Sequence, residues 1–205
     1  QLQALDIKTG KIIWTTECGI NMGVSVVPQK LSAGREVVVT GRGGGHGPPE
    51  KPQGISLVDL ADGKTLWTLP IEKFNATMSF GIRNDQVHFF HGPNHLSVDA
   101  ITGKIVKQVS IIKDVPVCLW NKGERTTAIK TLKKAGSRNI TQTSNLLVGK
   151  WNYFRHYKQP LLGRVNVDEG TVEYLELPLQ LSRAPGQDDQ LLWFDATKKK
   201  METQT

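Results

Sequence analysis

Polar and apolar positions alternate along this chain in short runs, and Gly, Pro, Asp and Asn cluster between them. That period of two predicts β-strands, and no stretch shows the wider spacing of a long amphipathic helix. Strands are expected at residues 24–28, 36–40, 54–60 and 64–69, then at 78–82, 86–91, 96–99 and 104–109. A further set is expected at 115–120, 145–150, 162–167 and 171–177. The extra length after residue 121 includes TTAIKTLKKAG at 126–136, which reads as an extended hairpin, with a short helix ending at Gly136 as the alternative.

One stretch recurs. Residues 4–14 (ALDIKTGKIIW) return as 57–67 (LVDLADGKTLW), as 97–107 (SVDAITGKIVK) and, more loosely, as 164–174 (RVNVDEGTVEY). Asp6, Gly10 and Trp14 correspond to Asp59, Gly63 and Trp67 in the second copy. Asp99 and Gly103 hold the first two places in the third copy, with Lys107 in the Trp position. The fourth keeps only Gly170, with Asn166 in the Asp position and Tyr174 in the Trp position. Each copy reads as a hairpin whose Asp accepts backbone N–H bonds and whose Gly supplies the positive φ that closes the turn.

The turn glycines are 53, 40 and 67 residues apart, and propeller blades repeat at about 40–50 residues with insertions in loops. Four short strands per repeat predict an all-β fold, a β-propeller of four-stranded antiparallel blades in a partial ring of about three to four blades. Residues 1–17 would end one blade, 23–69, 76–110 and 114–178 would form successive blades, and 179–205 would start another strand and a tail. A large flat ring at a fixed place on each outer strand suits the gap between blades, so Trp14 and Trp67 read as packing residues.

Composition narrows the function classes. The net charge of +7 comes from scattered lysines without basic–aromatic interleaving, which argues against nucleic acid. No apolar run reaches the roughly 18 residues of a transmembrane helix. Cys18 and Cys118, 100 residues apart, read as buried free thiols, with a disulfide open if the protein is exported. The chain begins at Gln1 without a leader, which reads as a processed product or an excised piece.

The pattern A-x-D-x-x-T-G-K-x-x-W, complete at 4–14, resembles the tryptophan-docking repeat of the pyrroloquinoline-quinone (PQQ) type propellers. That superfamily includes quinoprotein alcohol dehydrogenases and bacterial scaffold lipoproteins of outer-membrane protein assembly. The resemblance implies a bacterial protein, periplasmic or extracellular, acting as a non-enzymatic binding module for a protein or polysaccharide partner. Family rings close with seven or eight blades, so the remainder of its own propeller is a further partner to expect. The other reading is a fragment of a PQQ- and calcium-dependent oxidoreductase. The family's dehydrogenases stack adjacent cysteines on the quinone and carry a Glu/Asn/Asp calcium set, and neither motif is present here. No cofactor, metal or catalytic residue is therefore carried over.

Binding residues are expected on the loops between second and third strands of each blade, which share one face. Arg42 and His46 fall in that loop of the second unit, His91 and His95 flank it in the third, and Arg155 and His156 fall in it in the fourth. Histidines on separate loops carry no metal signature, so a metal site is the lesser reading beside an anion or carbohydrate site. His88, inside a strand, reads as a packed residue.

Overall fold

The computed structural model describes residues 1–19, 26–43, 50–74, 79–121, 123–133, 140–141, 145–156, 159–177, 179–183, 191–195 and 200–203. Among them the fold is all-β, without a helix. A first hairpin pairs β1 (Gln3–Leu5) with β2 (Ile12–Thr15). The second blade is β3 (Gln29–Lys30), β4 (Glu36–Arg42), β5 (Gly54–Asp59) and β6 (Thr65–Pro70), in that spatial order. The third is β7 (Gly81–Arg83), β8 (Gln86–His91), β9 (Asn94–Asp99) and β10 (Ile105–Ser110), again in chain order. These are antiparallel meanders, as the alternating pattern requires.

The fourth sheet departs from the expected plan. Residues 115–120 were expected to be its first and innermost strand, yet β11 (Val115–Asn121) and β12 (Glu124–Lys130) form a hairpin on its outer edge. β11 runs parallel to β16 (Thr171–Glu176), with Val117 beside Tyr174. The innermost strand is β13 (Leu146–Val148), and β14 (Trp151–Arg155) crosses a stretch expected to be loop. With β15 (Leu161–Asn166), the spatial order is β12-β11-β16-β15-β14-β13. Consecutive elements usually pair, and here a long return connection overrides that tendency, which no local pattern announces. A last sheet orders β17 (Leu179–Arg183), β18 (Leu191–Asp195) and β19 (Lys200–Thr203).

One apolar core runs between the second, third and fourth blades and includes Val37, Leu57, Phe89, Phe90, Phe154 and Tyr174. A smaller cluster of Cys18, Val38 and Val58 joins the first hairpin to the second blade. The inner strands are tied by side-chain amides. Gln29 donates to the Phe80 carbonyl at 3.2 Å and accepts from the Ile82 N–H. On the other side Asn145 accepts from Ser79 N–H at 3.2 Å and donates to its carbonyl at 2.7 Å. These amides continue the hydrogen bonding of a strand edge from blade to blade.

The recurring turn does the same work at the outer rim. Asp6 Oδ1 accepts from the Lys8 and Thr9 N–H groups at 3.0 and 2.7 Å, and Asp99 does so from Ile101 and Thr102 at 3.1 and 2.7 Å. The Trp14 indole donates to Leu60 O at 3.0 Å and Trp67 to Ala100 O at 2.8 Å, each reaching the turn of the following blade. Their rings lie flat on the turn glycine: a Cβ on Gly63 would sit 2.7 Å from Trp14, and one on Gly103 2.9 Å from Trp67. Lys107 occupies the same slot without a ring. Its stem lies 3.4 Å from the Cβ position of Gly170, and its ammonium donates to Val167 O and Asp168 O at 3.0 and 2.7 Å.

Tyr174 does not follow the expected docking role. In the first three hairpins one residue bulges out between turn and docking residue, so Trp14, Trp67 and Lys107 pair with Ala4, Leu57 and Ser97. The fourth hairpin has no bulge; Glu173 pairs with Arg164 and Tyr174 with Gly163. A one-residue shift moves a side chain to the opposite face. Tyr174 therefore points back at the third blade, buried, and its hydroxyl donates to Ile111 O at 2.6 Å.

Candidate functional site

Among the described residues, the loop residues expected to bind a ligand have different surroundings. Arg42 donates to the carbonyls of Pro52 and Lys51 at 3.0 and 3.1 Å, closing its own loop. His46 lies outside the described residues. His91 and His95 are on opposite faces of the third blade, as the pleat dictates for their register. His91 faces back, its ring 5.9 Å from Phe74. His95 faces forward, fully buried, stacked on His88 at 5.5 Å and 3.3 Å from Asn152 Nδ2. His156 is buried too, and its Nδ1 accepts from Gln159 N–H at 3.2 Å; Arg155 beside it is half-buried.

Burial keeps these rings neutral. It lowers His88 to about 4 and His156 to about 4, and it lowers His95 to about 3 with His88 and Lys107 adding repulsion. Neutral, enclosed imidazoles between blades suit packing. Among the described residues no group of three or more His, Cys, Asp or Glu could hold a metal ion.

The surface that stands open is the forward face of the fourth sheet. Its ladders bring Leu146, Tyr153, Arg164 and Glu173 into one row, and Leu162, Leu175, Cys118 and Thr127 into the next. Trp120 and Ile129 complete it on the added hairpin. Trp120 is 55% exposed, and Ile129, Leu146, Val148, Tyr153 and Leu162 are exposed with it. The opposite face of the same sheet buries Val115, Val117, Phe154, Val165 and Tyr174 against the third blade. A groove of about 320 Å³ runs along the open face between Trp120, Tyr153 and Leu162.

Its polar groups are few and mutually engaged. Arg164 pairs with Glu173 and stacks over the Trp151 ring at 4.0 Å from the centroid. Arg125 donates to Cys118 Sγ at 3.0 Å. The result is an aromatic and aliphatic plane with an ion pair at its centre, of the make-up found where proteins meet. The repeat pattern foreshadowed none of this, because exposure here follows from the missing bulge and the added hairpin. The alternating apolar residues of TTAIK and the Trp in VPVCLW were the available signals.

Comparison with solved structures establishes the fold. BamB from Moraxella catarrhalis matches over 97% of this chain and 56% of its own, at 17% identity and a TM-score of 0.53. Quinohemoprotein alcohol dehydrogenase from Comamonas testosteroni matches over 99% of this chain and 40% of its own, at 13% identity and a TM-score of 0.53. The fold is a β-propeller. The chain spans about half the length of those neighbours. No family model and no curated protein matches its sequence.

Cys18 packs with Val38 and Val58 beside the first hairpin, whereas Cys118 lies under Arg125 on the fourth sheet. The two thiols are thus at separate sheets.

Proposed function

We propose that this chain is a non-enzymatic PQQ-like propeller module that works outside the cytoplasm, periplasmic or extracellular, as a scaffold for a protein partner. The observation that carries this reading is the open forward face of the fourth sheet. A single exposed apolar residue on a protein needs no explanation, but six on one sheet face around a groove mark an interaction surface. Aromatic residues with Arg are the side chains enriched in such contacts. The likeness to BamB supports a scaffold reading, and the resemblance of the repeat to exported propellers supports the location. A polysaccharide partner is the lesser choice, because the polar groups on this face are already paired with one another.

A photo-crosslinking residue at position 153 tests the reading in cells that express the protein. The expected result is a discrete protein adduct that a crosslinker at Lys73, exposed on another surface, does not form. The same adduct pattern from both positions overturns it. Incubation with PQQ and calcium, followed by gel filtration, tests the enzymatic alternative. Co-elution of quinone with dye-linked alcohol oxidation would establish an oxidoreductase; elution of the protein without quinone is expected.

A further inference from the structure

The outer edge of the fourth sheet is built unlike the outer edges of the blades before it. β6 and β10 each carry a bulge next to their turn, and β6 ends in Pro70. Bulges and prolines are how exposed edges avoid pairing with other chains. β12 has neither. It pairs with β11 over seven consecutive residues without a shift of register, and all seven are exposed. Thr126, Thr127 and Ile129 within it are β-branched and suit an extended strand. Among the described residues no strand other than β11 pairs with β12. The edge lies at the rim, and the blades of a propeller stack face to face, so neighbouring blades leave it open.

Ladder geometry tells which backbone groups that edge offers. Asn121 and Glu124 flank a two-residue connection and form the closing pair, which exchanges both hydrogen bonds. Alternation then points the N–H and C=O groups of Glu124, Thr126, Ala128 and Lys130 toward β11, and those of Arg125, Thr127 and Ile129 outward. We infer that this edge pairs with the same edge of a second copy of the chain, antiparallel, about a two-fold axis at Thr127. Thr127 then meets Thr127, and Arg125 meets Ile129 in both directions. Every outward group finds a partner, about six bonds in all.

The charges select the same register. Glu124 comes opposite Lys130 of the second copy, and Lys130 opposite its Glu124, both on the face that looks back at the third blade. A shift in either direction parts these charges. Opposite charges facing each other across strands add stability, and like charges remove it. Lys130 already donates to Glu176 of its own sheet at 2.8 Å, so the second carboxylate meets an ammonium that is held in place. Strand addition draws affinity from main-chain bonds and specificity from the side chains beside them. The axis stands perpendicular to the sheet, so the two forward faces lie side by side and the pairing covers neither.

Sedimentation equilibrium of the chain from about 20 to 500 μM, in about 0.15 M salt, tests this pairing, because a contact between strand edges falls in the small, weak class. The expected mass rises from 22.7 kDa toward twice that value. Glu124→Lys sets a lysine against Lys130 and should raise the Kd about tenfold or more. Thr127→Pro removes an outward N–H and should abolish the rise. Proline is tolerated where an edge N–H faces solvent, and unchanged circular dichroism checks the fold. A thiol at the axis reads the register directly. Opposed Cα atoms of a bonded pair lie about 5.5 Å apart, within the roughly 4.4–6.8 Å that a disulfide spans. Thr127→Cys is made together with Cys118→Ser, so that its neighbour on β11 cannot bridge to it. It should give a disulfide-linked dimer under mild oxidation, and Thr126→Cys in the same background should give none. A wild-type chain that stays monomeric at about 500 μM overturns the inference. So does a dimer that Glu124→Lys and Thr127→Pro leave intact, or one that crosslinks equally from positions 126 and 127.

Discussion

Replacing Gly103 by alanine puts a methyl group where the Trp67 indole lies, 2.9 Å from its Cγ and Cδ2. Two costs follow, and they can be separated. The first is conformational: an alanine at φ +69° costs roughly 1–2 kcal/mol, offset by about 0.4–1 kcal/mol because the unfolded chain is stiffer. Gly149→Ala bears this cost alone, since Gly149 has φ +56° and open space at its Cβ position. The second cost is displacement of the ring, about 1–3 kcal/mol for overpacking and about 0.5–1.5 kcal/mol for the indole bond to Ala100 O. Gly103→Ala should therefore lose about 3 kcal/mol and Gly149→Ala about 1 kcal/mol. Urea unfolding at constant m-value measures both, because one core spans the blades that carry them. In a Trp67→Leu background the loss from Gly103→Ala should fall to that of Gly149→Ala. Equal losses for the two alanine variants in the wild-type background would refute the docking account.

Lys107→Ala removes a stem packed on Gly170 and two carbonyl contacts, and should cost about 1.5–3 kcal/mol in the same assay, whereas Lys107→Trp should retain most of the stability. Gln29→Ala strips Phe80 O and Ile82 N–H of their partner and should cost about 1–3 kcal/mol, while Gln29→Glu keeps the acceptor for Ile82 N–H but sets a carboxylate oxygen against Phe80 O and should also destabilise. The histidines between blades predict acid sensitivity with a definite sign. Burial lowers His88 to about 4 and His95 to about 3, so the unfolded chain takes up protons first as pH falls below about 6.5. Stability is thus full above that pH and declines toward pH 4, by about 2 kcal/mol per histidine at pH 5. His95→Phe should flatten the urea midpoint between about pH 7.5 and 5 by one histidine's share, and an unchanged slope would contradict the assignment.

Much of the architecture was legible because the repeat writes its constraints locally. An Asp that caps its own turn, a glycine at positive φ and alternating strands each act over a few residues, and all three appear in 4–14, 57–67 and 97–107. The strand at 86–91 was expected at the bounds it has. The fourth sheet was misread where the decisive contacts are distant. Nothing near Val117 states that it will lie beside Tyr174, 57 positions later, and parallel pairing of β11 with β16 has no local turn to announce it. His91 and His95 flank the β8–β9 turn as expected, but the pattern did not tell which blade each one faces. His91 and His95 are four residues apart on two strands joined at Gly92-Pro93, and only the pleat tells that they face opposite blades. His88 inside its strand was read as packed, and it is buried against Ser97 at 3.1 Å.

The fourth hairpin shows how a single residue of register separates an inner blade from an end blade. Its turn keeps the glycine and the carbonyl bond of the other three, so up to that point the four are alike. Without the bulge, the ring that sequence places four residues after the glycine turns backward and locks onto Ile111 O. The position that would carry a docking tryptophan falls to Glu173, held by Arg164. Lys107 shows that the slot tolerates a cation with an aliphatic stem, because a turn offers carbonyl oxygens; a carboxylate has no donor to offer them. The fourth sheet therefore cannot grip a following turn as the first three do. Its hold on a partner must come from area instead, and the β11–β12 hairpin widens the sheet to six strands and adds Trp120 and Ile129 to that face. A surface that relies on area rather than on one anchoring ring has its affinity spread over several apolar side chains, and Trp120, the largest of the exposed ones, is where a single charge should disrupt it most.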